Sequence, residues 1–236
     1  MEAILLGQAV IADKYLYDMR HFYFDNDRVA HATCGMAFQT LMDIYRCQVD
    51  APHTNIGSWY GAISNSPSHI VAGYLAEYIC LDTIRRDGMG LVARELDGPL
   101  EMEIFDPVPD VEVLINGGGD VRLYVPVSFN SPNVDAAIVR VNRNKLQAYV
   151  YLIQVTLATA YKNSETDFYR TQWEGWKSSF PNKYEIFPTF VWIAMPGVEK
   201  GVPQAPTGRV PKPQSVHLNI RAVNRRLHDR IAQTGI

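Results

Sequence analysis

The chain of 236 residues has little cysteine, little net charge and no long apolar run. Its three cysteines, Cys34, Cys47 and Cys80, are odd in number and fit no zinc spacing, which excludes a disulfide-stapled or zinc-built scaffold. Each lies in helix-like apolar sequence, so all three read as buried thiols in a reducing compartment. The formal charge is −3, from 22 Lys and Arg against 25 Asp and Glu. An indiscriminate nucleic-acid coat needs a basic surface, because phosphate neutralisation supplies most of its affinity. That class is excluded, but a small local basic site is not. The longest apolar runs, such as 149–160, fall well short of the roughly twenty residues that span a bilayer. No basic segment precedes the apolar residues near the start, so no signal peptide is expected. The expectation is an intracellular protein without a membrane segment, acting in the nucleus or in a host cell after secretion.

What is present builds a core. Hydrophobic residues make up 47% of the chain and tyrosines number 13. The length suits one long domain with appendages. Residues 1–65 read as a helical extension, with a helix over 29–45 and a loop over 50–68. Residues 66–196 read as the core and 197–236 as a Pro-rich arm followed by a basic helix over 216–233. Within the core, apolar spacing predicts a helix over 68–86, opened by Ser66-Pro67-Ser68 and closed by Gly88. Strands are predicted over 101–105, 111–115, 121–127, 134–141, 149–158 and 190–195, and a further helix over 165–177. The strand at 149–158 carries apolar residues on both parities, so it is expected at the centre of the sheet. The fold class is therefore α/β (mixed α+β), with a central sheet of about four or five strands flanked by helices.

Three positions carry candidate chemistry. Glu77 sits in the middle of the apolar helix Gly73-Tyr74-Leu75-Ala76-Glu77. Asp135 opens a strand directly after the turn Asn130-Ser131-Pro132-Asn133. Gln154 and Thr156 lie two apart on one strand and so share a face. Other motifs are weaker. Asn116-Gly117-Gly118-Gly119-Asp120 precedes no predicted helix and lacks a P-loop lysine, so it reads as a turn. His53, His69, His217 and His228 form no pair with metal-ligand spacing.

The phrase from Leu123-Tyr124-Val125-Pro126 through Asn130-Ser131-Pro132 to Val134-Asp135, followed by Ile153-Gln154-Val155-Thr156 and preceded by Gly73 to Glu77, resembles Crinkler and retrotransposon-hot-spot (RHS) proteins. It covers about residues 66–195. The module concerned is a restriction-endonuclease-like fold of the PD-(D/E)xK superfamily. The resemblance implies Mg²⁺-dependent phosphodiester hydrolysis, in which carboxylates gather the metal and a lysine orients the attacking water. Mapped onto this chain, Glu77 would be the helix acid, Asp135 the first strand acid and Gln154 the second. Thr156 falls at the lysine position. The catalytic set implied is Glu77, Asp135, Gln154 and Lys162, with Lys162 reaching back from beyond the strand. Lys145 is a second candidate for that cation. The metal set is Glu77, Asp135 and Gln154.

Gln154 and Thr156 depart from the motif, so hydrolysis is expected to be weak or lost. The alternative is a catalytically inert effector, a pseudoenzyme that binds a partner protein or nucleic acid. Crinkler-type proteins usually couple this module to a P-loop NTPase, and no Gly-x-x-x-x-Gly-Lys-Ser/Thr occurs here. The expectation is a short form without that motor. Plainer roles stand beside these: Glu77 as a solvent-facing helix residue, Asp135 as a turn cap, and Gln154 with Thr156 as a buried polar pair or the polar face of an edge strand. In the tail, Arg221, Arg225, Arg226 and Arg230 face only Asp229. Such a helix can bind a phosphate backbone or an acidic partner, or can simply be solvated.

Overall fold

The computed structural model describes residues 22–24, 30–32, 59–61, 63, 69–127, 133–157, 164–196 and 214–234. Two short strands, β1 (Phe22–Phe24) and β2 (Ala30–Ala32), pair antiparallel. Their segment was expected to be helical. The aromatic triplet at 22–24 favours a pleated backbone, and this preference overrides the helical spacing read onward from Ala30. Residues 59–61 and 63 are helical where a loop was expected, and Trp59, Tyr60 and Ile63 are buried. Apolar anchors there outweigh the turn-forming residues around them.

The main sheet has six strands in the order β3-β4-β5-β6-β7-β8. They are β3 (Met102–Phe105), β4 (Val121–Pro126), β5 (Ala136–Asn142), β6 (Gln147–Thr156), β7 (Glu185–Ala194) and β8 (Gln214–Asn219). The central run β4-β5-β6 is antiparallel, while β3 joins β4, and β7 and β8 join the other edge, in parallel. The fold is thus mixed α/β, with a six-strand mixed sheet flanked by helices. β6 lies between β5 and β7, and its apolar residues on both parities are buried because both faces of the sheet are covered. β8 starts pairing with β7 at Thr189, one residue past Pro188, which has no N–H to offer.

Two expected elements change type. Residues 111–115, read as a strand, contain helix α2 (Glu112–Ile115). Asp110 Oδ1 accepts from Glu112 N at 2.9 Å, so a local side-chain bond diverts the chain into a helical turn. The basic helix expected over 216–233 begins instead as strand β8. Only then come α5 (Ile220–Val223) and α6 (Arg225–Thr234). Asn219 caps α5 by accepting from Arg221 N at 2.8 Å, which sets the switch from strand to helix. The helix expected over 165–177 is broken at Gln172 into α3 (Ser164–Thr171) and α4 (Trp173–Ser178).

Each face of the sheet has its own core. Helix α1 (His69–Asp87) buries Leu75, Ala76, Ile79 and Cys80 against Ala136, Ile138, Ile153 and Val155, with Ile220, Leu227 and Ile231 from the C-terminal helices. Gly88 (φ +76°) ends α1, donating its N–H to Ile84 O at 2.8 Å. On the other face, Phe168, Trp173 and Trp176 of α3 and α4 pack on Val150, Leu152, Phe190 and Trp192. Side chains alternate between these cores along β6: odd positions face α1, and even positions face α3 and α4.

Candidate functional site

Asp135 stands just before β5, where its backbone N–H donates to Ile153 O at 2.8 Å and extends the antiparallel ladder by one residue. This puts it opposite Gln154. Its side chain is 3% exposed. One carboxylate oxygen, Oδ2, accepts from Gln154 Nε2 at 2.8 Å and from Val155 N at 2.6 Å. Asp135 is therefore no simple turn cap: it reaches across to the neighbouring strand. Gln154 is no edge-strand residue either, since β6 is internal. An amide turned the other way would set its oxygen against the carboxylate, so the observed orientation is the favourable one in the absence of a cation.

Glu77 is 6% exposed, which rules out the solvent-facing role. It rides on α1, against the face opposite to the one Gln154 shares with α3. Asp135 is what the two sides have in common. Buried Cys80, one turn along α1 from Glu77, has its thiol pushed well up, first by burial and then by the charges of Glu77 and Asp135. The charge of Glu77 also adds to burial in raising Tyr74. So Asp135 and Gln154 touch, and Glu77 and Asp135 act on one thiol.

The lysine candidates fare differently. Lys162 lies outside the described residues. Lys145 sits in the β5–β6 hairpin, where its backbone N–H donates to Asn142 Oδ1 at 3.1 Å. Gln147 to Gln154 is seven residues of strand, so this turn is about 23 Å from Gln154. Lys145 is therefore excluded from the site. Thr156 follows Gln154 on the same face, one strand from Ala194.

A carboxylate and an amide oxygen are the oxygen donors that a hard cation takes, and the structure brings Asp135 and Gln154 together but shows no such meeting of Glu77 with Gln154. Gln154 Oε1 is buried and has no hydrogen-bond partner among the described residues, as an amide oxygen awaiting a ligand or a water would be. Among the described residues no three His, Cys, Asp or Glu side chains gather as a metal-ligating group. No helix among them is long and apolar enough to cross a membrane.

Two further groups escaped the sequence reading. Glu165, in the first turn of α3, is 8% exposed and accepts from Ser215 Oγ at 2.7 Å and Trp192 Nε1 at 3.3 Å. An acid in the first turn of a helix is so common a charge–dipole feature that nothing in the sequence marks it. Asn224, between α5 and α6, donates through Nδ2 to Tyr60 Oη at 2.7 Å and Thr83 Oγ1 at 2.8 Å. Its Oδ1 accepts from Leu227 N at 2.9 Å. This residue fixes the basic helix to α1. Arg226 lies 4.3 Å above the Tyr60 ring, and Arg225, Arg226 and Arg230 line a shallow groove with Asp229 and Gln233.

A comparison with protein-family models, curated proteins and solved structures finds no match.

Proposed function

We propose that the chain is a restriction-endonuclease-like domain of the Crinkler/RHS type that binds nucleic acid, with metal-dependent phosphodiester hydrolysis weak or lost. The observation that carries this reading is the hydrogen bond between buried Asp135 and half-buried Gln154, on two central strands at the positions where the resemblance expects two metal-binding acids. Glu77 supports it as a second buried acid, whose charge, like that of Asp135, adds to burial in raising the Cys80 thiol. A bound Mg²⁺ would neutralise charge developing on the phosphate and lower the pKa of a water. Asp135, the unpartnered Gln154 Oε1 and Glu77 are the groups that would hold it.

The same pair explains the weakness. Gln154 offers its amide N–H to Asp135, so a neutral donor does what a cation would do in an active site. Thr156 cannot supply a charge to orient water. The second reading, an inert effector module, is favoured by this amide–carboxylate bond. Nucleic acid would be met by Arg221, Arg225, Arg226 and Arg230, which present four cations against Asp229. The Asp229 carboxyl is held below its ordinary range, first by its hydrogen bond with His228 and then by Arg225 and Arg221. Asp229 thus stays ionised, and four guanidiniums against one carboxylate leave the patch net cationic. A host or partner protein with an acidic face would suit it as well.

The deciding experiment incubates the purified chain with plasmid and single-stranded DNA in Mg²⁺ and in Mn²⁺, beside an Asp135→Ala variant. Equal background cutting by both supports loss of catalysis. Robust cutting abolished by the substitution rejects it. Binding is read separately against salt. Each phosphate contact removed by an Arg→Ala change should flatten the log–log slope by about 0.9, and a salt-independent signal would remove nucleic acid as the partner.

A further inference from the structure

The arginines of the C-terminal helices are unequal. Arg225, Arg226, Asp229, Arg230 and Gln233 line one shallow groove along α6, while Arg221 stands outside it on α5. Arg226 and Arg230 lie one turn apart, a rise of about 6 Å, so their side chains share a face. Arg225 has the Asp229 carboxylate at 3.9 Å, and Asp229 also meets His228 Nδ1 at 3.1 Å. A phosphate at Arg225 would meet that carboxylate too. Among the described residues no carboxylate pairs with Arg226 or Arg230. The first turn of α6 holds no acid and two arginines, the reverse of what helix stability favours there. That turn suits an anion brought from outside.

Arg226 differs again in being held. Its guanidinium carbon lies 4.3 Å from the centroid of the Tyr60 ring, over the ring face. Tyr60 is buried, and its hydroxyl accepts from Asn224 Nδ2 at 2.7 Å. Asn224 also donates to Thr83 Oγ1 on α1 at 2.8 Å, and its Oδ1 caps α6 by accepting from Leu227 N at 2.9 Å. The ring under Arg226 is thus fixed to both α1 and α6. Stacking uses the face of a guanidinium and leaves the N–H groups in its plane for an acceptor. A long surface side chain loses rotamer freedom when it binds a partner. For Arg226 part of that freedom is already lost in folding.

We propose that Arg226, fixed in advance by Tyr60, anchors a phosphodiester strand in this groove, with Arg230 one turn further along taking the neighbouring phosphate. The inference rests on the reading of these arginines as a nucleic-acid surface, and it assigns their unequal shares. Arg226 and Arg230 carry the ionic contacts. Arg225 remains with Asp229. Tyr60 is a positioning residue that acts through Arg226 and does not meet the strand.

The test follows binding of the full chain to a fluorescein-labelled oligothymidine by anisotropy across a salt series. The slope of log affinity against log salt counts phosphate contacts, and the affinity at one salt concentration reports how well they are held. On a single strand each lost contact flattens the slope by about 0.7. Arg226→Ala and Arg230→Ala should each do so, and Arg225→Ala should leave the slope nearly unchanged. Tyr60→Leu should keep the slope and weaken binding about two- to tenfold, the scale of ordering one long side chain. In the Arg226→Ala background Tyr60→Leu should have no further effect. Equal flattening by all the arginine changes overturns the proposal while the nucleic-acid reading stands, and so does a Tyr60→Leu loss that persists without Arg226. Where Tyr60→Leu fails to fold by near-UV circular dichroism, two lysine variants decide. Arg226→Lys keeps the charge but gives up the planar stack, so it should weaken binding more than Arg230→Lys, and equal losses overturn the proposal. Absent or salt-independent binding overturns both the proposal and the nucleic-acid reading. A polyglutamate peptide that binds more tightly than the oligothymidine rejects nucleic acid as the occupant.

Discussion

The two ends of β6 are built on opposite principles. At the hairpin end, polar groups are plentiful, largely exposed and paired. Arg143 donates to Leu114 O at 2.6 Å and Gly119 O at 2.8 Å, and forms an ion pair with Asp120. Gln147 bonds Tyr149 Oη at 3.1 Å and Glu185 at 3.4 Å. At the other end polar groups are few and more enclosed: Asp135 is buried and Gln154 half-buried, and Glu165, buried, bonds the neighbouring strands β7 and β8. Exposed polar groups of the first kind close a turn and cost little, since water can replace any partner lost. Buried polarity of the second kind is expensive and would be selected against unless it did something. That difference is what supports the proposed reading of the Gln154 end as the site.

The apolar stretch between the ends sets the scale. Leu152 lies midway, fully buried in the core under α3 and α4. Leu152→Ala should cost about 2–5 kcal/mol, from lost burial and the cavity left behind, read as a fall in the urea midpoint. A cost below about 1 kcal/mol would mean that this face is loosely packed and that Asp135 and Gln154 are not rigidly held.

Next comes restoration of the missing acid. Gln154→Glu places a second carboxylate beside Asp135 in a poorly solvated pocket. Burial and the neighbouring charge should raise the introduced group's pKa above its unfolded value. A carboxyl raised on folding destabilises once pH exceeds its unfolded pKa of about 4.3. The variant should therefore match the parent near pH 4 and fall behind by about 2 kcal/mol towards neutrality, the scale of an unsatisfied buried polar group. Mg²⁺ should recover much of that loss if the pair faces a cation. A pH-independent deficit, or none, would break the contrast between the two ends.

How far the sequence foretold this arrangement differs by element. The apolar spacing of α1 and the two-parity strand β6 were legible because periodicity reports burial directly. β8 was not, since Gln214 to Asn219 is largely polar and pairs on one edge only; its fate depends on β7 lying beside it. Asp135 stood out through its turn, and the proximity of Gln154 followed from strand pairing. The burial of Glu165 did not, because it comes from how α3 packs, and no local pattern encodes that. The break at Gln172 likewise escaped a reading in which one apolar face ran through both helices.

Removing the acceptor should have an effect of about the same size as adding a charge, but without its pH dependence. Asp135→Ala leaves Gln154 Nε2 and Val155 N–H without their acceptor in a buried place. A loss of about 1–3 kcal/mol is expected. Hydrogen exchange at the Val155 amide should speed up more than at amides near the hairpin. Equal protection across β6 would show that Asp135 does not hold the strand end in place.

The smallest effect should come from Lys145→Ala. This side chain belongs to the exposed hairpin, where the backbone amide of residue 145 bonds Asn142 Oδ1 and the chain passes through Leu146 at φ 52°. Neither feature depends on the ammonium group. Surface substitutions of this kind usually change stability by less than about 0.5 kcal/mol. At roughly 23 Å from Gln154, the lost charge should also leave cation affinity unchanged at ordinary ionic strength, since the Debye length is about 8–10 Å. A paired Tb³⁺ titration of parent and variant at 0.15 M salt reads this directly. If Lys145→Ala changed cation affinity, the division between the two ends of β6 would fail.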